Sequence, residues 1–159
     1  ERFRADSSAD YALVLAGSRL YLNGELDRAI RESSYADSVI FTGRLSRDEL
    51  RKVYGAAAAF VFVPWFEGFG IPVVEAMRCG TPCIISDNSS LPEVSGGAGL
   101  CVSAADTEAI AMAMARLANE PALRRRLKDE GIKNSLRFSW DNTAAQMYNA
   151  IVKTLDDHA

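Results

Sequence analysis

The chain has few residues that could hold a metal ion. Its 159 residues include three cysteines and a single histidine, His158. Cys79, Cys83 and Cys101 form no CxxC pair, so the sequence does not predict a zinc site. We expect all three thiols to be reduced core or near-surface residues, since free cysteine is commonly buried.

Long hydrophobic runs and an excess of positive charge are also absent. No stretch approaches the roughly 20 apolar residues of a membrane-spanning helix, and no secretory signal opens the sequence. The net charge of −3 argues against a nucleic-acid partner. A composition that is 48% hydrophobic and 25% charged is ordinary for a soluble domain. We expect one domain over residues 1–159, located in the cytoplasm, and allow for a peripheral position at the inner face of the membrane.

Apolar runs alternate with amphipathic segments along the chain. Strands are predicted at Tyr11–Ala16, Val39–Thr42, Phe60–Val63, Pro82–Ile85 and Leu100–Val102. This alternation predicts an α/β fold with a Rossmann-like, doubly wound parallel sheet, whose ligands bind beyond the carboxyl ends of the strands. The segments that follow the strands, at Gly17, Gly43, 67–71 and 86–92, should therefore share one cleft.

The segment after the third strand has the features of an anion site. It reads EGFGIPVVEAM from Glu67 to Met77. Gly68 and Gly70 let the backbone turn sharply and approach a ligand, and Pro72 suits the first helical position. A helix that begins here directs free backbone N–H groups and the positive end of its dipole at the cleft, which suits a diphosphate. Glu67 and Glu75 frame this site.

This segment, together with CGTP at 79–82 and SSLPEV at 89–94, resembles the donor-binding C-terminal domain of retaining GT-B glycosyltransferases of group 1, also called family 4. The resemblance covers nearly the whole chain and is strongest to the mannosyltransferase-like branch. It implies transfer of a mannose-like hexose from a nucleoside diphosphate sugar, such as GDP-mannose or a UDP-sugar, to an acceptor hydroxyl with retention, in surface polysaccharide or glycolipid synthesis. It implies no cofactor and no metal ion, and the sequence has no Asp-x-Asp motif.

The resemblance also implies roles for individual residues. Glu67 would bind donor-sugar hydroxyls at the catalytic centre and Glu75 the ribose hydroxyls, since a carboxylate accepts strong, charge-assisted hydrogen bonds. The remaining contacts would involve mostly backbone groups: Phe69, Gly70 and Ile71 with the sugar and diphosphate, and Thr42, Gly43 and Arg44 with the base.

Parts of the family pattern are missing from this sequence. Relatives carry an earlier strand, in the middle of the sheet, whose arginine and lysine hold the diphosphate, and an N-terminal acceptor-binding domain. Without that strand its neighbours would lose hydrogen-bonding partners. The fold is therefore expected to be incomplete, and this piece alone to be inactive in transfer. A non-catalytic nucleotide-sugar-binding module is the alternative.

Several residues have a structural alternative to a functional role. Glu75 could complement the helix dipole, and Arg44 could be an ordinary surface residue. We expect Trp65 and Phe66 to be packing residues rather than sugar platforms. Trp140 is expected to fill a junction between helices, and the apolar stripe from Met147 to Leu155 to be core or an interdomain contact.

Overall fold

The computed structural model describes residues 1–5, 10–18 and 24–157, so His158 lies outside the described residues. The elements are α1 (Arg2–Ala5), β1 (Leu13–Ala16), α2 (Gly24–Glu32), a 3-10 turn (Ala36–Ser38), β2 (Val39–Gly43), α3 (Arg47–Ala56), β3 (Phe60–Phe62), α4 (Ile71–Arg78), β4 (Cys83–Ser86), α5 (Leu91–Ser95), β5 (Gly99–Val102), α6 (Thr107–Asn119), α7 (Pro121–Ser135) and α8 (Trp140–Asp156). Each predicted strand is present, with ends that differ from the predicted ones by no more than two residues.

The strands pair in parallel, which confirms the predicted α/β class. Pairing joins β1 to β2, β3 to β4 and β4 to β5. The described strands form two sheets, ordered β1-β2 and β3-β4-β5, rather than one continuous sheet. A cavity of about 1350 Å³ is lined by β1 on one side, β3 on the other and part of α6. The break in the sheet thus falls between β1 and β3.

The core lies on both faces of β4, which is buried along its whole length. Cys83 and Ile85 face a cluster formed with α3, α4 and α5, whereas Ile84 faces a second cluster formed with α6 and α7. This alternation is what a strand covered by helices on both faces requires. The loops at the carboxyl end of β4 are therefore attached to a well-packed part of the core.

The first strand is much less covered than the sequence predicted. The unbroken apolar run at β1 indicated burial on both faces, yet Leu13 and Val14 are 47% and 41% exposed. The reason is the cavity beside β1, which leaves this edge of the strand without a neighbour among the described residues.

Side chains cap the starts of α3 and α6, whereas the last helix does not pack as predicted. Ser46 and Glu49 form a capping box at α3, and the Asp106 side chain caps α6. In contrast, Trp140 is 81% exposed, so the prediction that it fills a helix junction is wrong. Nothing in α8 is buried, which rules out the core alternative for its apolar stripe in this chain. No described helix combines the length and apolar character needed to cross a membrane.

Candidate functional site

The loop between β3 and α4 turns sharply at Gly70. This residue precedes the first turn of α4 with φ of 102° and ψ of 40°. A side chain there would be strained, and a Cβ atom would come within 2.5 Å of Leu91 Cδ2. Pro72 occupies the second helical position, one residue later than predicted, and Val73 is fully buried beneath the turn. Burial of Val73 and Leu91 thus fixes where the helix begins.

Two serines after β4 hold this loop in place. The Ser90 hydroxyl lies 3.1 Å from the Glu67 carbonyl oxygen and 2.9 Å from that of Phe69. The backbone N–H of Glu67 donates to Ser89 Oγ at 3.4 Å. The sequence analysis placed residues 86–92 in the cleft but gave these hydroxyls no role.

Phe138 also supports the loop, from a part of the chain that the motif does not include. Its ring lies edge-to-face against Phe69, with ring centroids 5.6 Å apart and an interplanar angle of 88°. The Arg137 guanidinium lies 5.4 Å from the centroid of the Phe138 ring. Nothing in the sequence pairs Phe69 with Phe138, since the contact depends on how α7 returns to the site.

The backbone N–H groups of the loop differ in how they are engaged. That of Phe69 donates to the Glu67 carboxylate at 3.4 Å, a long bond. Within the part of the chain that the structure describes, the N–H groups of Gly68, Gly70 and Ile71 donate no hydrogen bond. Because they lie at or before the start of a helix, they carry its positive dipole end. The half-buried Glu67 stands beside them.

Glu75 lies in the second turn of α4, on the wall of the cavity. It is solvent-exposed, and Pro72, Gly17 and Ser18 line the same cavity. Burial, and secondarily the negative charge of Glu75, raise the pKa of the Tyr54 hydroxyl to about 12. Glu75 thus faces both the open cavity and Tyr54, a neighbour that the sequence analysis did not identify.

The predicted base-binding segment lies at the carboxyl end of β2. Gly43 accepts a hydrogen bond from the Gly17 N–H at 3.0 Å, so the ends of β1 and β2 meet as predicted. Thr42 Oγ1 donates to the Gly43 carbonyl at 2.9 Å, and Arg44 is exposed. Gly17 lines the cavity together with Glu75. Thr42, Gly43 and Arg44 are not among the described residues that line it. The structure therefore brings this segment to Gly17 but not onto the wall that carries Glu75.

The aromatic pair that begins the loop is open to solvent. Trp65 is 75% exposed and Phe66 80% exposed. The prediction that they are packing residues is therefore wrong for this chain: Val63, directly after β3, still packs against the core, but the chain has left it at Trp65.

The three cysteines are free, as predicted, and differ in burial. Cys83 is buried, Cys79 is half-buried and Cys101 is exposed. Burial raises the pKa of the Cys83 thiol to about 12, so it is neutral at ordinary pH. The described residues contain no group of three or more side chains that could ligate a metal ion.

Known proteins share sequence or structural similarity with most of this chain. "O-antigen chain mannosyltransferase B" of Escherichia coli is 33% identical over 88% of this chain, and "MMP alpha-(1->4)-mannosyltransferase" of Mycolicibacterium hassiacum is 35% identical over 91%. This chain spans 37% and 36% of their respective lengths. A solved structure titled Anabaena Alr3699/HepE in complex with UDP-glucose aligns with 95% of this chain and 43% of its own, with a TM-score of 0.82 and 18% identity.

A protein family also matches most of the chain. The family described as "Glycosyl transferases group 1" matches residues 1–134, which include the loop, α4, the segment at 42–44 and the serines after β4. The matched residues thus contain every side chain that the sequence analysis assigned to the site. The chain belongs to the group 1 glycosyltransferases.

Proposed function

We propose that this chain is the nucleotide-sugar-binding domain of a retaining glycosyltransferase that transfers a mannose-like hexose to an acceptor hydroxyl. The observation that carries the proposal is the row of unengaged N–H groups at Gly68, Gly70 and Ile71 before α4, with Glu67 and Glu75 on either side. The mannosyltransferase relatives support the choice of sugar, and the structural neighbour that holds UDP-glucose supports the choice of donor.

The diphosphate is the part of the donor that suits the start of α4. Backbone N–H groups at a helix N-terminus bind anions through hydrogen bonds and through the dipole. During transfer, negative charge develops on the departing diphosphate, and fixed donors stabilise it most when they need no reorganisation. The loop is kept rigid in two ways. Gly70 packs closely against Leu91, and the Ser90 hydroxyl lies within hydrogen-bond distance of the Glu67 and Phe69 carbonyl oxygens.

The two carboxylates suit the hydroxyl groups of the donor. Glu67 lies directly before the N–H groups, which supports a role at the sugar, and its long bond to the Phe69 N–H is one that a ligand can replace. Glu75 is one helical turn beyond the start of α4 and lines the cavity, which supports a role at the ribose. The segment 42–44, at the far side of Gly17, would receive the base.

Calorimetric titration with GDP, UDP and ADP tests this proposal. We expect one nucleotide to bind and Glu75→Gln to weaken its affinity about fivefold to thirtyfold, equivalent to ~1–2 kcal/mol, which is at the low end of the range for a hydrogen bond to a charged group because Glu75 is solvent-exposed. Glu130→Gln is the matched control, since Glu130 is also an exposed helical glutamate but lies on α7. Loss of affinity in both variants alike, or no binding at all, would remove the support for a ribose role.

The activity of the whole protein is part of the proposal. The family resemblance implies that transfer uses an acceptor-binding domain and a basic pair that holds the diphosphate, and this chain spans 37% and 36% of the lengths of two relatives. We propose that no metal ion takes part, so that chelation of divalent cations leaves nucleotide affinity unchanged. The proposed location is the cytoplasm, at the inner face of the membrane where acceptor lipids or polysaccharides would be met.

The alternative is a module that binds nucleotide sugars without transfer. The two are separated by turnover in a longer form of the protein that includes an acceptor domain. Hydrolysis or transfer of the donor sugar supports the enzyme, whereas binding without release of the nucleoside diphosphate supports the module.

A further inference from the structure

We propose that Ser90 is a positioning residue that aims the backbone N–H groups of Gly68 and Gly70 at the phosphates of the donor. This inference rests on the proposed function. The observation behind it is that Ser90 Oγ lies within hydrogen-bond distance of two carbonyl oxygens of the loop. It is 3.1 Å from the carbonyl oxygen of Glu67 and 2.9 Å from that of Phe69, two residues later.

The geometry of the peptide bond links these carbonyls to the N–H groups. The bond is planar, and in its trans form the C=O and the following N–H point in opposite directions. The described chain contains no cis peptide bond. Because the carbonyls of Glu67 and Phe69 point toward Ser90, the N–H groups of Gly68 and Gly70 point away from it. Both groups are therefore directed to the same side of the loop.

The Ser90 hydroxyl is free for this task because it does not cap a helix. Ser90 stands at the N-cap of α5, where a serine side chain ordinarily accepts a hydrogen bond from the helix. Here its φ of −82° and ψ of −16° are helical, and its side chain makes no capping bond. Its hydroxyl is engaged with the loop instead. Removing it should therefore disturb the loop without removing a helix cap.

The base from which Ser90 acts is itself well anchored. Leu91, the next residue, is fully buried against Gly70. Before it, the hydroxyls of Ser86 and Ser89 lie 3.2 Å from Asn88 Oδ1, and Ser86 is buried at the end of β4. The segment 86–91 thus connects the core strand to the loop, and the loop geometry is set from the strand.

Two measurements on this chain test the proposal. The first is 15N relaxation of the Gly68 and Gly70 amides without ligand, for which we expect a clear fall in the order parameter in Ser90→Ala. The second is the ratio of affinities for a nucleoside diphosphate and the matching monophosphate. We expect Ser90→Ala to reduce that ratio about fivefold, the equivalent of one hydrogen bond worth ~1 kcal/mol, while affinity for the monophosphate changes little.

The controls separate positioning from general damage. Ser95→Ala removes a buried hydroxyl of α5 that bonds only to the nearby Pro92 carbonyl, so it should lower stability but leave the ratio unchanged. Ser90→Thr keeps a hydroxyl and should restore both readouts. Ser90→Cys, which nearly preserves size, replaces Ser90→Ala if that variant does not fold.

The outcomes distinguish this inference from the proposed function. If the unaltered chain binds nucleotide and Ser90→Ala shows the same ratio and the same order parameters, Ser90 has no positioning role and the proposed function stands. If the unaltered chain binds no nucleotide, the proposed function fails. In that case only the relaxation data test the role of Ser90. If the Gly68 and Gly70 amides stay rigid in Ser90→Ala, the inference is overturned.

Discussion

Gly70 is the position at which a single methyl group should do the most harm to the site. Its φ of 102° is strained for any residue with a side chain, and the added Cβ of Gly70→Ala would meet Leu91 Cδ2 at 2.5 Å. Backbone strain of this kind costs roughly 1–2 kcal/mol. Overpacking against a fully buried leucine adds about 1–3 kcal/mol. We therefore expect Gly70→Ala to lower the free energy of unfolding by about 2–5 kcal/mol.

A double-mutant cycle with Leu91→Ala divides this cost into its two parts. Leu91→Ala alone should cost about 2–5 kcal/mol, as for other buried leucines. In the double variant the new methyl group occupies space that the leucine leaves, so only the backbone strain should remain from Gly70→Ala. The two changes should thus be non-additive, with a favourable coupling of about 1–3 kcal/mol.

Equilibrium unfolding in urea, followed by circular dichroism, measures these free energies. Gly68→Ala is the matched control, since Gly68 is two residues away, has no positive φ and has nothing within 4 Å of an added Cβ. It should change stability by no more than about 0.5 kcal/mol. The reasoning is refuted if Gly70→Ala behaves like Gly68→Ala, or if its cost simply adds to that of Leu91→Ala.

Three further predictions concern titration, thiol reactivity and the cavity. The folded-state pKa of Tyr54 is raised to about 12 from 10.0, so the stability that Tyr54 contributes is present below pH 10 and is lost as the pH rises toward 12. In urea unfolding, Tyr54→Phe should therefore lose less stability than the unaltered chain over that pH range. An equal fall of the free energy of unfolding with pH in both proteins would contradict this. Cys83, whose pKa is raised to about 12 from 9.0, should have a thiolate fraction about a thousandfold smaller than in the unfolded chain. Its alkylation at pH 8, followed by mass spectrometry of the Cys83 peptide, should therefore follow unfolding, and prompt labelling of Cys83 in the folded protein would contradict this, whereas the exposed Cys101 can be labelled at once. A longer form of the protein that supplies a strand to the cavity should slow hydrogen exchange in β1 and β3, whereas unchanged exchange would show that no strand enters there.

Much of the fold could be predicted because local signals were strong and mutually consistent. Apolar runs identified each strand, and Gly70 and Pro72 identified the start of α4 to within one residue. These signals depend on a few neighbouring residues and on the backbone alone. The loop from Glu67 to Ile71 followed from the same kind of argument.

The parts that could not be predicted depend on contacts between distant segments. Trp65, Phe66 and Trp140 look like core residues by composition, but whether an aromatic side chain is covered depends on which elements surround it in the fold. Phe138 reaches Phe69 only because α7 passes over α4, with Gly131 against Met77. The role of Ser90 depends on two carbonyl directions that no sequence pattern specifies.

Amide spectra recorded during titration with a nucleoside diphosphate test the central claim, that the turn before α4 binds the diphosphate. The account predicts that the largest shifts occur at Gly68, Gly70 and Ile71, with a further change at Glu75, and that they saturate together. Shifts that concentrate elsewhere, or a loop whose amides do not respond to a ligand that binds, would contradict it.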